Sequence, residues 1–539
     1  MEPSGYTLFV NGHIRTMDRQ RPVAQAVAVR GDRFVAVGSN SEVLEAFGAR
    51  ARVIDLQGKL VVPGLIDSHV HLLWLGQSLS QLDLSTCTSI AELQRMLKQR
   101  AESCRPGEWI VGWGWHQERL KEKRDPCKED IDPVTPQNPV YLVRSCTHAA
   151  LVNGVALSLA GITADTGDPP GGCVAKGPGG DPRGLLYESA MQLVASLIPA
   201  PDLTAKASML KLAMEELVKY GITGAHSVDL GCKEAYRVLR SQGDLPLRVY
   251  MDEGVESGSD YLPELAWESG DLWLRTGSVK FWADGAFGPR TAALKQPYAD
   301  DPGNAGLLVY PPERLKELAA AVGGAGRQVT IHALGDRALE VALDAAEVAV
   351  EAGARRPRVV HCGLADEALI ERMRVLKVIA DLQPCFVPYE VDWMPQRLGI
   401  ARSKWAYAFR SLIQAGICCT AGSDAPVDPV NPFIGIYGAV TRCAFDGHPE
   451  GGWNPQQRLT VELALAMYTV NGAYAEFSEG IKGMVKEGFL ADMAVLSKDI
   501  FLVEPQELLS TKALLTLVGG QPKWVDPEWE GVMLGPRVA

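Results

Sequence analysis

From Leu60 the chain reads Leu-Val-Val-Pro-Gly-Leu-Ile-Asp-Ser-His-Val-His-Leu, an almost unbroken apolar run ending in a His-x-His pair. A short run of this kind, rich in β-branched residues, predicts a buried strand. Strand side chains two apart share a face, so His69 and His71 are expected to project together from its end. Seven similar segments follow at 221–226, 247–251, 278–283, 328–332, 358–361, 378–382 and 417–424, with helical patterns between them. Strands alternating with helices predict parallel β/α units. Eight of them fit an α/β fold of the (β/α)8 TIM-barrel type over residues 61–479.

The two ends follow a different pattern. Tyr6-Thr7-Leu8-Phe9-Val10 is β-rich, and Asn11-Gly12 after it is a hairpin signal. Residues 27–38 repeat the theme around Gly31-Asp32, and 491–496 and 514–518 do so near the C-terminus. Residues 1–60 and 480–539 are therefore expected to build one small β-sandwich from both ends of the chain, the alternative being two separate hairpins. The stretch from 75 to 199 is too long for a single crossover. It carries strand-like segments at 109–116 and 139–144 and a Gly/Pro-rich run at 168–184, so it reads as a subdomain inserted after the first strand. Loops there overhang a barrel mouth, which predicts a lid that shapes substrate choice.

Composition narrows the function. The 539 residues are 47% hydrophobic, enough for a large core, and the formal charge is −12 with an isoelectric point near 5.4. No basic footprint exists for nucleic acid or an anionic membrane surface. No apolar run reaches membrane-spanning length, and residues 1–18 lack the pattern of a signal peptide. Eleven cysteines, an odd number without a Cys-x-x-Cys pair, fit a reduced cytoplasmic chain with buried thiols.

The chemistry falls at the strand ends, where a barrel keeps its active site. His69, His71, Lys280, His332, His361 and Asp424 each lie at or near such an end. Imidazoles and carboxylates are the ligands of zinc-class metals. A lysine is normally protonated, but desolvation lowers its pKa. The neutral amine of Lys280 could then take up CO2 and become an anionic carbamate ligand.

This constellation resembles the amidohydrolase superfamily, and within it the amidohydrolase-3, YtcJ-like family that includes N-substituted formamide deformylases. The resemblance rests on 63–71, 279–291, 331–336, Gln383-Pro384, 422–427 and 480–492, in order along the whole chain. It implies a metal-dependent hydrolase that cleaves a non-peptide C–N bond, an amide or formamide, with hydroxide generated from water by the metal. It further implies His69 and His71 as ligands of a first metal and His332 and His361 as ligands of a second. Lys280 would be the carbamylated bridge, and Asp424 a ligand that also moves protons. The metal would be zinc, with manganese or iron as alternatives, in one or two copies. The substrate would be a small molecule and the chain a cytoplasmic homodimer.

Three positions depart from the family pattern. Val360 stands where many relatives have Glu, His116 where they often have Asp, and Phe287-Gly288-Pro289 where Leu-Gly-Ser is more usual. His148, Trp115 and His116 are candidate substrate-binding residues of the lid. Trp113 and Trp115, two apart, are expected to share a face, with core packing the first role and pocket lining the second. Asp336 could orient a ligand histidine or cap a helix, Asp424 could merely cap a helix, and Lys280 could be an ordinary ion-paired lysine. His226 reads first as a buried core histidine. The same metal site could also serve a lyase, decarboxylase or ester hydrolase, or be the relic of a non-catalytic scaffold.

Overall fold

The run from Leu60 splits at Gly64 into two strands of two different sheets. Leu60–Pro63 joins one sheet, and Leu65–Val70 begins another. Gly64 makes the crossing possible, because a Cβ there would lie 2.1 Å from the Thr223 hydroxyl. The expected single strand is thus corrected by a close backbone approach that only glycine permits. The structure, a computed structural model, describes residues 5–533 apart from 147, 257, 260, 261, 263, 264 and 266–269.

Eight parallel strands form a nearly closed barrel. In chain order they are β1 (Leu65–Val70), β2 (Ile222–Asp229), β3 (Arg248–Gly254), β4 (Leu274–Trp282), β5 (Val329–Ala333), β6 (Arg358–His361), β7 (Ile379–Leu382) and β8 (Cys419–Ala421). Each pairs with its sequence neighbour. β1, β2, β6, β7 and β8 are buried along their whole length. That explains why they read as apolar runs without alternation.

Part of the barrel interior is ionic. Arg358, wholly buried on β6, donates to Asp252 on β3 at 3.0 Å, to Asp381 on β7, and to the Ser68 carbonyl on β1 at 2.5 Å. Asp381 also accepts from Ser68 and from the Thr420 hydroxyl at 2.9 Å. One guanidinium therefore bonds to three other strands.

Strands from both ends of the chain share a sheet. Met493–Leu496 pairs antiparallel with Leu60–Pro63 and with Ala513–Val518. A four-stranded sheet contains Tyr6–Val10, Ala26–Arg30, Arg33–Gly38 and Ala51–Asp55. One core cluster joins Phe9, Val27 and Phe34 to Met493, Val495 and Leu515. The Gly31-Asp32 turn closes a hairpin, with Arg30 opposite Arg33. Asn11-Gly12 does not. Asn11 takes φ 57° and turns the chain from Tyr6–Val10 in one sheet to His13–Arg15 in the other.

The chain divides into two compact units, Met1–Leu75 with Leu210–Ala539, and Gly76–Met209. The second unit has its own six-stranded sheet and its own core around Leu97, Ile110, Trp115 and Leu142. The Gly/Pro-rich run supplies two of its strands, Gly172–Lys176 and Pro182–Glu188. Trp113 and Trp115 do not share a face there. Gly114 adopts φ 96°, the pairing register shifts, and Trp113 is 43% exposed while Trp115 is 1% exposed. A bulge of this kind breaks the two-residue alternation. No helix among the described residues is long and apolar enough to cross a membrane.

A buried charge group in the first unit sets a stability prediction. Glu476 lies 2.6 Å from Lys482 Nζ and 3.5 Å from His226 Nε2, all three buried. Burial alone would raise the Glu476 carboxyl, but the charge of Lys482 and then the bond and charge of His226 outweigh it and depress the pKa. A depressed carboxyl stabilises the fold above its unfolded pKa, and that stabilisation is lost as pH falls. Glu476→Gln is expected to cost about 3–5 kcal/mol at pH 7, because it leaves Lys482 buried without its partner. In melting experiments the gap to wild type should narrow as pH falls below about 4.5. A gap that stays constant from pH 7 to pH 4 would contradict this.

Candidate metal centre and active site

Beyond β8 the chain folds back onto the end of β1. The Asp424 N–H donates to the His69 carbonyl at 2.8 Å, and the His71 N–H to the Ala425 carbonyl at 2.9 Å. Asp67, two residues before His69, accepts from the Ser423 hydroxyl at 2.6 Å, the Ser423 N–H at 3.0 Å and the His69 N–H at 3.1 Å. Gly422 allows this approach, since a Cβ would stand 2.5 Å from the His69 nitrogen. Asp424 itself is held at φ 59°, and His361 at φ 74°. Left-handed backbone at non-glycine residues stores strain of order 1–3 kcal/mol and gathers at functional sites. The helix-cap reading of Asp424 falls away, because the next helix, Pro432–Thr441, is capped by Asn431.

The return places Asp424 Oδ1 3.2 Å from His69 Nε2 and 3.1 Å from His71 Nε2. Ligand atoms of all three residues lie within 4.8 Å of one another. His71 Nδ1 is 2.9 Å from the Val228 carbonyl. A carbonyl only accepts, so Nδ1 carries the proton, and Nε2 of a neutral His71 turns a lone pair toward the carboxylate. Two lone pairs at 3.1 Å require a proton or a cation between them. The electrostatics say the same. Burial would lower the His71 pKa, but the bond and charge of Asp424 outweigh it and raise it. Burial would raise the Asp424 carboxyl, but His69, His71 and His361 hold it well below the carboxylate range. Burial, with the charge of Lys280, pushes His69 down to about 4.

A second imidazole pair stands at the ends of β5 and β6. His332 Nε2 lies 2.9 Å from the Gly285 carbonyl and is therefore its donor. His332 Nδ1 is left bare and faces His361 Nε2 at 3.0 Å. The His361 and His69 ring centroids are 5.7 Å apart, so the two pairs adjoin. Lys280, on β4, is wholly buried, and its Nζ has no hydrogen-bond partner, which sets aside the ordinary ion-paired reading. Burial pushes its pKa down to about 8 against the pull of Asp424, Asp381 and Asp252. His69 Nδ1 and His361 Nδ1 are likewise buried without partners. Four imidazoles, a carboxylate and an amine, several with orphaned buried atoms, make a donor set that fits divalent metal ions.

The carboxylate that supports His332 is Asp284, not Asp336. Asp284 Oδ1 lies 3.3 Å from His332 Nε2, and its carboxylate accepts the N–H groups of Ala293, Leu334 and Gly335 at 2.8–3.0 Å. Asp336 instead accepts the Lys295 and Arg337 N–H groups. The usable sequence signal was position, since Asp284 follows Lys280 by four residues just beyond β4.

A cavity of about 430 Å³ opens beside His69, His71, His332, His361 and Asp424. Its walls include Trp74, Trp282, Phe287, Phe386, Tyr389 and Tyr407, with Glu390 and Asp428 among them. Phe287, one of the departures from the family pattern, is thus a wall residue. Most of the other wall residues come from the loops after β7 and β8, where no motif announces them. His116, His148 and Trp115 all belong to the other unit. Within it, Trp115 is a core residue whose indole N–H donates to the Leu142 carbonyl at 3.0 Å, the packing role expected first for it. His148 is exposed and 3.1 Å from Glu188, and His116 Nδ1 accepts the Glu118 N–H.

A family model described as "Amidohydrolase family" matches residues 52–523. The chain belongs to that family. It is 35% identical over 520 residues to YtcJ of Bacillus subtilis (strain 168), a protein named for the amidohydrolases, covering 95% of this chain and 98% of that one. It is 30% identical over 534 residues to the N-substituted formamide deformylase of Arthrobacter pascens, covering 95% and 97%. Among solved structures it is similar to an uncharacterized metal-dependent hydrolase of Pyrococcus horikoshii OT3, with a TM-score of 0.75 and 27% identity, covering 93% and 99%. Family membership and these neighbours make this chain a metal-dependent hydrolase of the amidohydrolase kind.

Asp284 supplies a test of this geometry. Asp284→Ala removes the carboxylate beside His332 Nε2 and the acceptor of the Leu334 and Gly335 N–H groups. Metal affinity should fall about 10–100-fold, as for other lost supports of ligand histidines. Competition with a chromophoric chelator measures this, and an unchanged affinity would contradict the role.

Proposed function

We propose that this amidohydrolase cleaves a non-peptide C–N bond, an amide or formamide, in a small molecule. The observation that carries the reading is the approach of two imidazole nitrogens to one oxygen of Asp424 at the floor of an aromatic-walled cavity. Similarity to a formamide deformylase across nearly the whole chain supports it.

His69, His71 and Asp424 would hold one metal and His332 and His361 a second, with Lys280, as a carbamate, shared between them. Zinc suits this donor set best, with manganese or iron as alternatives. A bound divalent metal would supply Lewis acidity, polarising the substrate carbonyl and acidifying water.

The chain's own groups do the rest. Asp424 is ionised, buried and short of further donors, so its carboxylate is placed to accept the proton of the attacking water. It can then return that proton to the leaving nitrogen, which departs as an amine while the acyl group leaves as a carboxylate. His71 is held in one tautomer by Val228, and His332 in one by Gly285, so neither ring turns during the reaction. Trp74, Trp282, Phe287 and Phe386 surround the cavity and limit bulk water around the scissile bond.

Incubation with N-benzylformamide should release benzylamine and formate in equal amounts. Asp424→Asn should lower kcat/KM by about 10²–10⁴-fold, the range of a lost general acid–base group. A strong chelator should abolish turnover, and added zinc should restore it. Release of a decarboxylated product, or no amine from a panel of formamides and amides, would overturn the C–N reading.

A further inference from the structure

The cavity lining holds a further group of polar side chains that hydrolysis at Asp424 leaves unused. The group consists of Glu390 and Tyr407, from the segment between β7 and β8, and Asp428, which follows β8. The Tyr407 hydroxyl donates to Glu390 Oε2. Asp428 Oδ2 is shut off from solvent and has no hydrogen-bond partner. Burial, and then the charge of Asp428, pushes Glu390 up to about 7. Burial, and then the charge of Asp424, pushes Asp428 up to about 7 as well. Among the described residues no lysine or arginine lines this cavity.

Two neighbouring carboxylates without a counter-charge are expensive to keep ionised in an apolar surround. Among the described residues no side chain of the cavity offsets them, and an occupant that brings a cation does so directly. The lining also includes Tyr389, 43% exposed, whose aromatic ring attracts cations and repels anions. An anionic substrate would face both carboxylates, and a purely apolar one would leave Asp428 Oδ2 unpaired. The volume, about 430 Å³, suits a ligand of one aromatic ring with short substituents.

We propose that Glu390 and Asp428 form a cation subsite, and that the substrate carries an ammonium or amidinium group on the part of the molecule away from the scissile C–N bond. The term substrate rests on the hydrolytic reading above. Selectivity for a positive charge does not. Tyr407 acts as a positioning residue, because its hydroxyl fixes the Glu390 carboxylate.

Calorimetry with two probes of one shape tests the subsite without turnover. Benzamidine is cationic and benzamide neutral. Benzamidine should bind the protein as purified at least about ten-fold more tightly, the scale of one charge-assisted contact. That advantage should collapse in Asp428→Asn and in Glu390→Gln, with melting curves confirming that each variant is folded. Equal affinity of wild type for the two probes, or an advantage that survives in the double variant, overturns the subsite. The same selectivity should appear in turnover, as a preference for the para-aminomethyl analogue of N-benzylformamide over N-benzylformamide itself. Charge-selective binding with no hydrolysis of either formamide keeps the subsite and refutes the C–N reading. Hydrolysis of both at equal efficiency keeps that reading and refutes the subsite.

Discussion

Two backbone hydrogen bonds carry both the fold and the site. The Asp424 N–H reaches the His69 carbonyl, and the His71 N–H reaches the Ala425 carbonyl. They join the last strand of the barrel to the first, across the one seam where regular pairing is missing. The same bonds fix the distance from the Asp424 carboxylate to both imidazoles. Closing the barrel and assembling the candidate ligands are therefore one event. Asp67 and Gly422 serve that event, the first by bonding Ser423 and the second by leaving room. Strain at Asp424 persists because the surrounding bonds over-determine its backbone.

Charge is organised in layers beneath the mouth. Arg358 bonds Asp252 and Asp381 inside the barrel, so the strand that ends in His361 is tied to β3 and β7 by ion pairs and not by aliphatic packing alone. Such pairs add little net stability but are costly to break singly. They suit a barrel whose strand ends must hold a fixed geometry. Lys280 is buried in the same barrel, with an amine that has no hydrogen-bond partner, and the imidazoles carry orphaned nitrogens of their own. Buried polar atoms without partners are rare, and a cluster of them beside a cavity marks a ligand-binding site more than poor packing.

The parts legible in the sequence are those set by local periodicity. Several strands are apolar runs with a chemical residue at or near the end, so His69, His332, His361 and Asp424 are expected there from the local pattern alone. The rest depends on distant approach. Nothing local says that Gly64 passes Thr223 or that Asn11 crosses between sheets, and Gly114 looks like any strand glycine until its φ is seen. Asp284 and Asp336 are both aspartates just past a strand end, by two and three residues. Only tertiary contact decides that the first supports His332. Tyr407 and Asp428 sit in irregular segments and Glu390 ends the single helical turn Val387–Glu390, all too short for alternation or helical period to carry a signal.

The hydrolytic reading turns on one point, that these side chains form a metal centre completed by Lys280. The direct measurement is metal content per chain, with intact mass before and after acid, on the native protein and on Lys280→Ala. The expected result is about two divalent ions on the native chain, an acid-labile mass gain of about one CO2, and loss of at least half the metal in the variant. One ion unaffected by the substitution would make Lys280 structural, and a chain that binds no metal would contradict the metal centre altogether.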